Sequence, residues 1–284
     1  MISRVAFIIN PNSSKGQYEP FLKEINQRID QPTVLISRTK EDTERFISEN
    51  WEHIDIFVAA GGDGTISSIA QQLVNSEKIL AVYPMGSGNG FARENSFNTN
   101  LKKLIEKLQK GNSKKIDTVK INDYFCINVS GVGLDSAVAH NFEKTSRGFF
   151  NYIKTTVKTY FQFKSVEVSF SDSHFENFNG SYMMLNIANT RQFGNNAYIA
   201  PQAIIDDGKI DLALVKKFPF WYSSIFACQL FTKKLRGNRY IKYLCTEKIE
   251  INASSDLWHI DGDAVSISSP VSIKVSKQSL RILQ

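Results

Sequence analysis

Apolar positions in the first 115 residues follow two alternating rhythms. Val5–Ile9 is a short continuous apolar run, as a strand buried on both faces requires, and Phe21, Leu22, Ile25 and Ile29 then recur at helical spacing. Thr33–Ile36 predicts a short strand. Glu41–Glu49 predicts a polar helix with Phe46 and Ile47 facing inward. Ile54–Ala60 is a second apolar strand, after which Ile66, Ile69, Ala70, Leu73 and Val74 share one helical face. Ile79–Tyr83 predicts the next strand, and Leu101, Leu104, Ile105 and Leu108 a helix that stops at Gly111. Such alternation predicts a Rossmann-like α/β domain with a parallel sheet and helices on both faces.

Near residue 116 the pattern changes. Tyr124–Val129, Val166–Phe170, Tyr182–Ala188, Ile210–Val215, Ile249–Ile251 and Val271–Val275 read as strands, several with two-residue alternation. Helical segments interrupt them at about Leu134–Phe163 and Trp221–Leu235. The expectation is a second, mostly antiparallel β-sandwich domain over 116–275, following an α/β domain over 1–115 to which 276–284 can return. With no repeat or low-complexity linker between them, a cleft between two domains is the expected place for an active site.

Composition narrows the class. Of 284 residues, 42% are apolar and 22% charged, which excludes a disordered chain. The longest apolar-rich stretch, Phe218–Phe231, is too short to span a bilayer, and Met1 runs into Val5–Ile9 without a cleavage-site pattern. Neither a signal peptide nor a membrane span is expected. Cys126, Cys228 and Cys245 are odd in number and far apart, which suits a reducing cytoplasm. The four histidines lack the spacing of zinc ligands. A net charge of +6 fits visits to an anionic surface, but no nucleic-acid-binding motif is present and none is expected to bind.

The chemistry concentrates in two glycine turns. Ala59-Ala60-Gly61-Gly62-Asp63-Gly64-Thr65 falls where a buried strand ends and a helix begins, the usual ligand end of a parallel sheet. Glycines there permit left-handed turns and close approach to a ligand, and the helix amides favour an anion. Asp63 repels a bare phosphate, yet suits a Mg²⁺ ion set between carboxylate and phosphates. The alternative is a tight turn with Asp63 as helix N-cap. A second turn, Pro84-Met85-Gly86-Ser87-Gly88-Asn89-Gly90-Phe91-Ala92-Arg93, follows the next strand. It departs from GxGxxG in its third glycine and lacks the lysine of a P-loop.

With both turns in hand, the sequence resembles the diacylglycerol kinase catalytic family, which includes bacterial lipid kinases, ceramide kinases and sphingosine kinases, almost end to end. The resemblance implies an α/β domain of the NAD kinase/diacylglycerol kinase type and an ATP- and Mg²⁺-dependent lipid kinase. Asn10-Pro11-Asn12-Ser13-Ser14-Lys15 is similar to the family's opening nucleotide loop, and Thr39 to a threonine near adenine or ribose. Gly61, Gly62, Asp63, Gly64 and Thr65 match its signature, and Gly86, Ser87, Gly88, Asn89 and Arg93 match its GSGN-x-x-AR segment. By the same resemblance Asp63 and Asp117 belong to a catalytic Mg²⁺ network, and Ile204, Asp207 and Lys209 to a structural Mg²⁺ site. His259-Ile260-Asp261-Gly262-Asp263 resembles the DGE motif, implying Asp261 as base with Asp263 in support. Gly90 replaces the third acidic member usual in bacterial diacylglycerol kinases, and Asp263 replaces the usual glutamate.

Phosphoryl transfer asks the protein for positioning, charge neutralisation and a base. Arg93 either steadies phosphates or makes a structural ion pair. The acceptor is a lipid drawn from a membrane surface, diacylglycerol or a sphingoid type, implying a cytoplasmic protein transiently at the inner membrane face. A homodimer is left open. Phe218–Phe226, followed by Lys233, Lys234, Arg236, Arg239 and Lys242, offers aromatic anchors beside a basic patch, although packing of those aromatics into the β domain is favoured. Arg147–Tyr152 is a weaker candidate. Two other readings remain: an NAD kinase-like enzyme acting on a soluble nucleotide, and a catalytically silent regulator.

Overall fold

This computed structural model describes residues 4–16, 18–142 and 149–284, with side chains throughout except at 14, 15, 142 and 149–154. The chain divides into two compact units, Met1–Thr118 with Lys277–Gln284, and Val119–Ser276.

The first unit opens with β1 (Val5–Ile9), α1 (Glu19–Arg28), β2 (Thr33–Ile36) and α2 (Lys40–Glu49). It continues through β3 (Ile56–Gly61), α3 (Asp63–Leu73), β4 (Ile79–Pro84), α4 (Gly90–Glu94) and α5 (Leu101–Lys110). The sheet order is β2-β1-β3-β4, all parallel, with Val34, Phe7, Val58 and Ala81 in one row across it. Every residue of β1 and β3 is buried, which explains their unbroken apolar runs. Thr39 starts α2 through a capping box: its hydroxyl accepts from Asp42 N at 3.1 Å, and the Asp42 carboxylate accepts from Thr39 N. Asn100 caps α5, and Gly111 ends it at φ 66°. The five-residue α4 has too few apolar positions to be visible in the pattern.

The chain crosses into the second unit along β5 (Ser113–Ile121), then forms β6 (Tyr124–Cys126), β7 (Val129–Gly133), α6 (Leu134–Phe142) and α7 (Phe149–Gln162). Next come β8 (Val166–Phe170), β9 (Gly180–Tyr182), β10 (Met184–Ala188), β11 (Ile210–Val215), α8 (Ser223–Phe231) and β12 (Ile241–Thr246). The unit ends with β13 (Lys248–Ala253), β14 (Leu257–Ile260), β15 (Asp263–Ser266) and the first part of β16 (Val271–Leu283). One antiparallel sheet has the order β12-β11-β10-β7-β14-β15. The other joins the first residues of β16 to β13, β8 and β9. Ile210, Leu212 and Leu214 of β11 enter one apolar cluster with Val168, Trp258 and Ile273, while Ala213 and Val215 enter another with Tyr160, Phe218 and Phe226. This two-sided burial is what the alternation in the sequence encodes.

Boundaries differ where polar backbone work interrupts a run. The expected strand Tyr124–Val129 breaks into β6 and β7 because residues 127 and 128 turn their amides to the Asp261 carboxylate. Tyr182–Ala188 breaks at Met183, whose N–H donates to Val215 O at 2.7 Å. The expected helix 134–163 comprises α6 and α7, with 143–148 outside the described residues. Trp221–Leu235 shortens to α8 behind a 3-10 turn, Phe220–Tyr222. The last residues of β16 return to the first unit, where Arg281 and Ile282 pair in parallel with Ile79 and Leu80. Among the described residues no helix is long and apolar enough to cross a membrane.

Candidate active site

In the first unit the two glycine turns meet at the carboxyl ends of β3 and β4. A Cβ on Gly86 would lie 2.6 Å from the Gly62 Cα, and one on Gly62 3.3 Å from the Gly86 Cα. Side chains at either position would wedge the turns apart. Met85 N donates to Gly61 O at 2.7 Å, and Asn89 N donates to Asp63 Oδ2 at 2.8 Å. Asn89, itself at φ 50°, closes its own turn: its Oδ1 accepts from Gly86 N and its Nδ2 donates to Gly86 O. A Cβ on Gly61 would strike the Thr65 side chain at 2.6 Å. None of Gly61, Gly62, Gly64, Gly86 and Gly88 has a positive φ, so close approach, not left-handed geometry, is what requires glycine here. That corrects the expectation of left-handed turns.

Asp63 is the first residue of α3, and the N-cap is Gly62, which offers no side-chain cap. The N-cap alternative for Asp63 therefore fails. Its carboxylate ties the second turn to the first. From β1, Asn10 reaches across: its Nδ2 donates to Thr65 Oγ1 at 2.8 Å and its Oδ1 accepts from Asn12 N. Pro11, Asn12 and Ser13 follow in the same loop, and the Ser14 side chain lies outside the described residues. Arg93 is exposed and donates from Nε to Gly88 O at 3.2 Å, bracing its own loop. Ser87 is exposed on that loop. Thr39 follows β2 as the α2 cap, with its hydroxyl already accepting a helix amide. Asp117 is buried in β5 and its Oδ1 accepts from Gln278 N at 2.7 Å. Among the described residues no group of three or more His, Cys, Asp or Glu is gathered as a metal cage.

In the second unit, Asp261-Gly262 forms the two-residue turn between β14 and β15, with Ile260 opposite Asp263. Both central residues have positive φ, 52° and 98°, the demand of a tight hairpin that Asp-Gly meets. The Asp261 carboxylate is buried: Oδ1 accepts from Asn128 N at 2.8 Å and from the Cys126 thiol at 3.0 Å, and Oδ2 from Ile127 N at 3.1 Å. Burial, and next the Asp261 charge, push the Cys126 thiol well above its ordinary range. Asp263 is exposed. Behind the turn runs a buried polar chain that the sequence reading missed. His259 Nε2 lies 3.0 Å from Asp135 Oδ2, His259 Nδ1 accepts from Gly262 N at 3.3 Å, and Asn186 Nδ2 donates to Asp135 Oδ2. These partners are far apart in sequence, so no local pattern signals them. Asp207 accepts from Lys209 N at 3.0 Å, and Ile204 is exposed in the same loop.

The diacylglycerol kinase catalytic domain model matches residues 4–121, and the YegS C-terminal NAD kinase beta sandwich-like domain model matches 128–284. A Stenotrophomonas maltophilia protein named probable lipid kinase YegS-like is 29% identical over 188 residues, 61% of this chain. The match spans only 60% of that relative's length. The Bacillus subtilis diacylglycerol kinase is 22% identical over 277 residues, covering 92% of this chain and 90% of that one. A crystal structure of a diacylglycerol kinase from Bacillus anthracis shares the fold, with a TM-score of 0.73 at 17% identity, covering 99% of this chain and 96% of that one. The chain belongs to the diacylglycerol kinase catalytic-domain family and carries a C-terminal domain of the YegS type.

Proposed function

We propose that the protein is an ATP-dependent lipid kinase that moves a phosphoryl group onto the hydroxyl of a membrane lipid, a diacylglycerol or sphingoid type. The observation that carries this reading is the cradle in which Gly62 and Gly86 lie back to back, tied by Asp63 to Asn89. Any Cβ would fill it, so backbone amides there can approach a polyphosphate closely. ATP, when bound, supplies the γ-phosphoryl group. Gly61–Thr65 and Gly86–Asn89 would hold its phosphates, with Asn10–Ser14, Thr39 and Arg93 as further contacts. Mg²⁺ would be held by Asp63, at the cradle, and by Asp117, and would neutralise phosphate charge there. Ile204, Asp207 and Lys209 would form a second, structural site.

The carboxylates of the β14–β15 turn divide the remaining work. Asp261 has both oxygens occupied by donors from residues 126–128 and acts as the pin of that segment. Asp263, exposed at the start of β15, takes the proton from the acceptor hydroxyl. The resemblance implied Asp261 as base with Asp263 in support; the base proposed here is Asp263. The protein would work in the cytoplasm, visiting the inner membrane face for its acceptor.

The test is transfer of the labelled γ-phosphoryl group from ATP with Mg²⁺ to detergent-dispersed diacylglycerol, sphingosine and ceramide, with NAD as soluble control. Label in an organic-phase product is expected. Label on NAD alone would replace the reading with an NAD kinase-like one. Asp63→Asn keeps an acceptor for Asn89 N while removing the charge, so turnover should vanish with thermal stability unchanged. Asp263→Asn should also abolish turnover; retained turnover removes Asp263 as the base.

A further inference from the structure

The aromatic residues around α8 and the end of α7 form two layers. Phe218, Tyr222, Phe226 and Tyr160 are buried together, so the packing expected for this segment holds for them. Phe161 and Trp221, however, are each 65% exposed, Phe220 is 45% exposed and Ile225 43%. They are not scattered. The Phe161 and Phe220 rings sit 4.6 Å apart, Tyr160 lies 5.5 Å from Phe220, and Trp221 stands edge-on to Tyr222. Two hydrogen bonds lock the elements that carry them: Tyr160 OH donates to Phe218 O, and Lys217 Nζ donates to Phe163 O at 3.1 Å. An outward-facing aromatic cluster on a fixed base is a surface built for contact.

Charge identifies the partner. From Leu212 to Thr246 there is no Asp or Glu, but there are seven basic residues: Lys216, Lys217, Lys233, Lys234, Arg236, Arg239 and Lys242. The rest of the chain holds 27 basic against 28 acidic residues, so the whole positive excess of the protein lies in this segment. Residues 155–166, from the end of α7 to the start of β8, add Lys158 and Lys164, again without an acid. Aromatic side chains favour the membrane–water interface, and cations beside them favour anionic headgroups. Two copies of so basic a face would repel each other, which argues against self-association.

We propose that Phe161, Phe220, Trp221 and Ile225, with the exposed basic residues of the 216–239 segment, among which Lys217 bonds to Phe163 O and Arg239 lies over the Tyr222 ring, form the face that docks on anionic lipid bilayers. The inference deepens the lipid-kinase reading by naming where the protein meets its substrate's phase, and its test needs no turnover. The full chain is floated without ATP on vesicles of phosphatidylglycerol mixed with phosphatidylcholine, and on phosphatidylcholine alone. Binding to the anionic vesicles that weakens with salt is expected. Phe220→Ser with Trp221→Ser should reduce it at least tenfold, and Lys234→Glu with Arg236→Glu should do likewise. Both pairs should leave the melting temperature unchanged; should the aromatic pair lower it, Trp221→Ser alone gives the readout. Vesicle binding unaltered in both pairs overturns the proposal. So does a concentration-dependent dimer that the aromatic pair dissolves without any vesicle binding. Binding lost in the variants of a chain that phosphorylates no lipid keeps this face and removes the kinase reading.

Discussion

Gly86 sets the tightest constraint on any single position. Gly86→Ala would place its methyl 2.6 Å from the Gly62 Cα, against backbone that has nowhere to go, and should destabilise the first unit by about 1–3 kcal/mol. Denaturant unfolding checks this, and loss of nucleotide binding should accompany it. The glycines themselves were plain in the sequence; the reason for them was not, because φ and distance are tertiary quantities that a Gly-Gly-Asp-Gly string does not carry. Cys126 is a second residue with a definite expectation. Its raised folded pKa means the folded protein keeps the thiol proton beyond the ordinary thiol range, so unfolding releases a proton there and stability falls as pH rises. Iodoacetamide should therefore label the exposed Cys228 and Cys245 in the native protein and reach Cys126 only on unfolding, as peptide mapping would show.

Among elements, the β14–β15 hairpin joins local chemistry to candidate function. Gly262→Ala meets open space, yet at φ 98° it should cost roughly 1–2 kcal/mol from left-handed strain alone. Asp261→Asn sets an amide against three donors and should cost about 1–3 kcal/mol, read as a lower melting temperature. Asp-Gly is itself a hairpin signal, but the four-residue strands on either side are too short to stand out in the apolar pattern, so this element was not read from the sequence. β5 went unread as well. Its Asp117 and Thr118 are buried because Gln278 N and the Ser279 hydroxyl bond to them, and a reader of apolar pattern passes over polar residues at buried positions. Thr39→Ala, which removes the α2 cap, should cost about 1 kcal/mol in thermal melts and separates the cap from any role in nucleotide binding.

On the scale of the molecule, the change from mixed strand–helix rhythm to two-residue alternation near residue 116 made the pairing of an α/β fold with an antiparallel one legible. The return of the last residues to the first unit was expected, but not their pairing with β4, which joins residues about 200 positions apart. Leu280, Ile282 and Leu283 are buried there, each worth about 1.5–3 kcal/mol of apolar burial. Removing residues 277–284 should therefore abolish cooperative melting of the first unit, seen as early proteolysis of 4–118. The same strand has a consequence for the order of events during translation. The first unit is begun first and finished last: its sheet waits for 277–284 while everything between is synthesised, leaving β4 with an open edge for most of that time. A nascent chain stalled before that strand would be the form most in need of a chaperone.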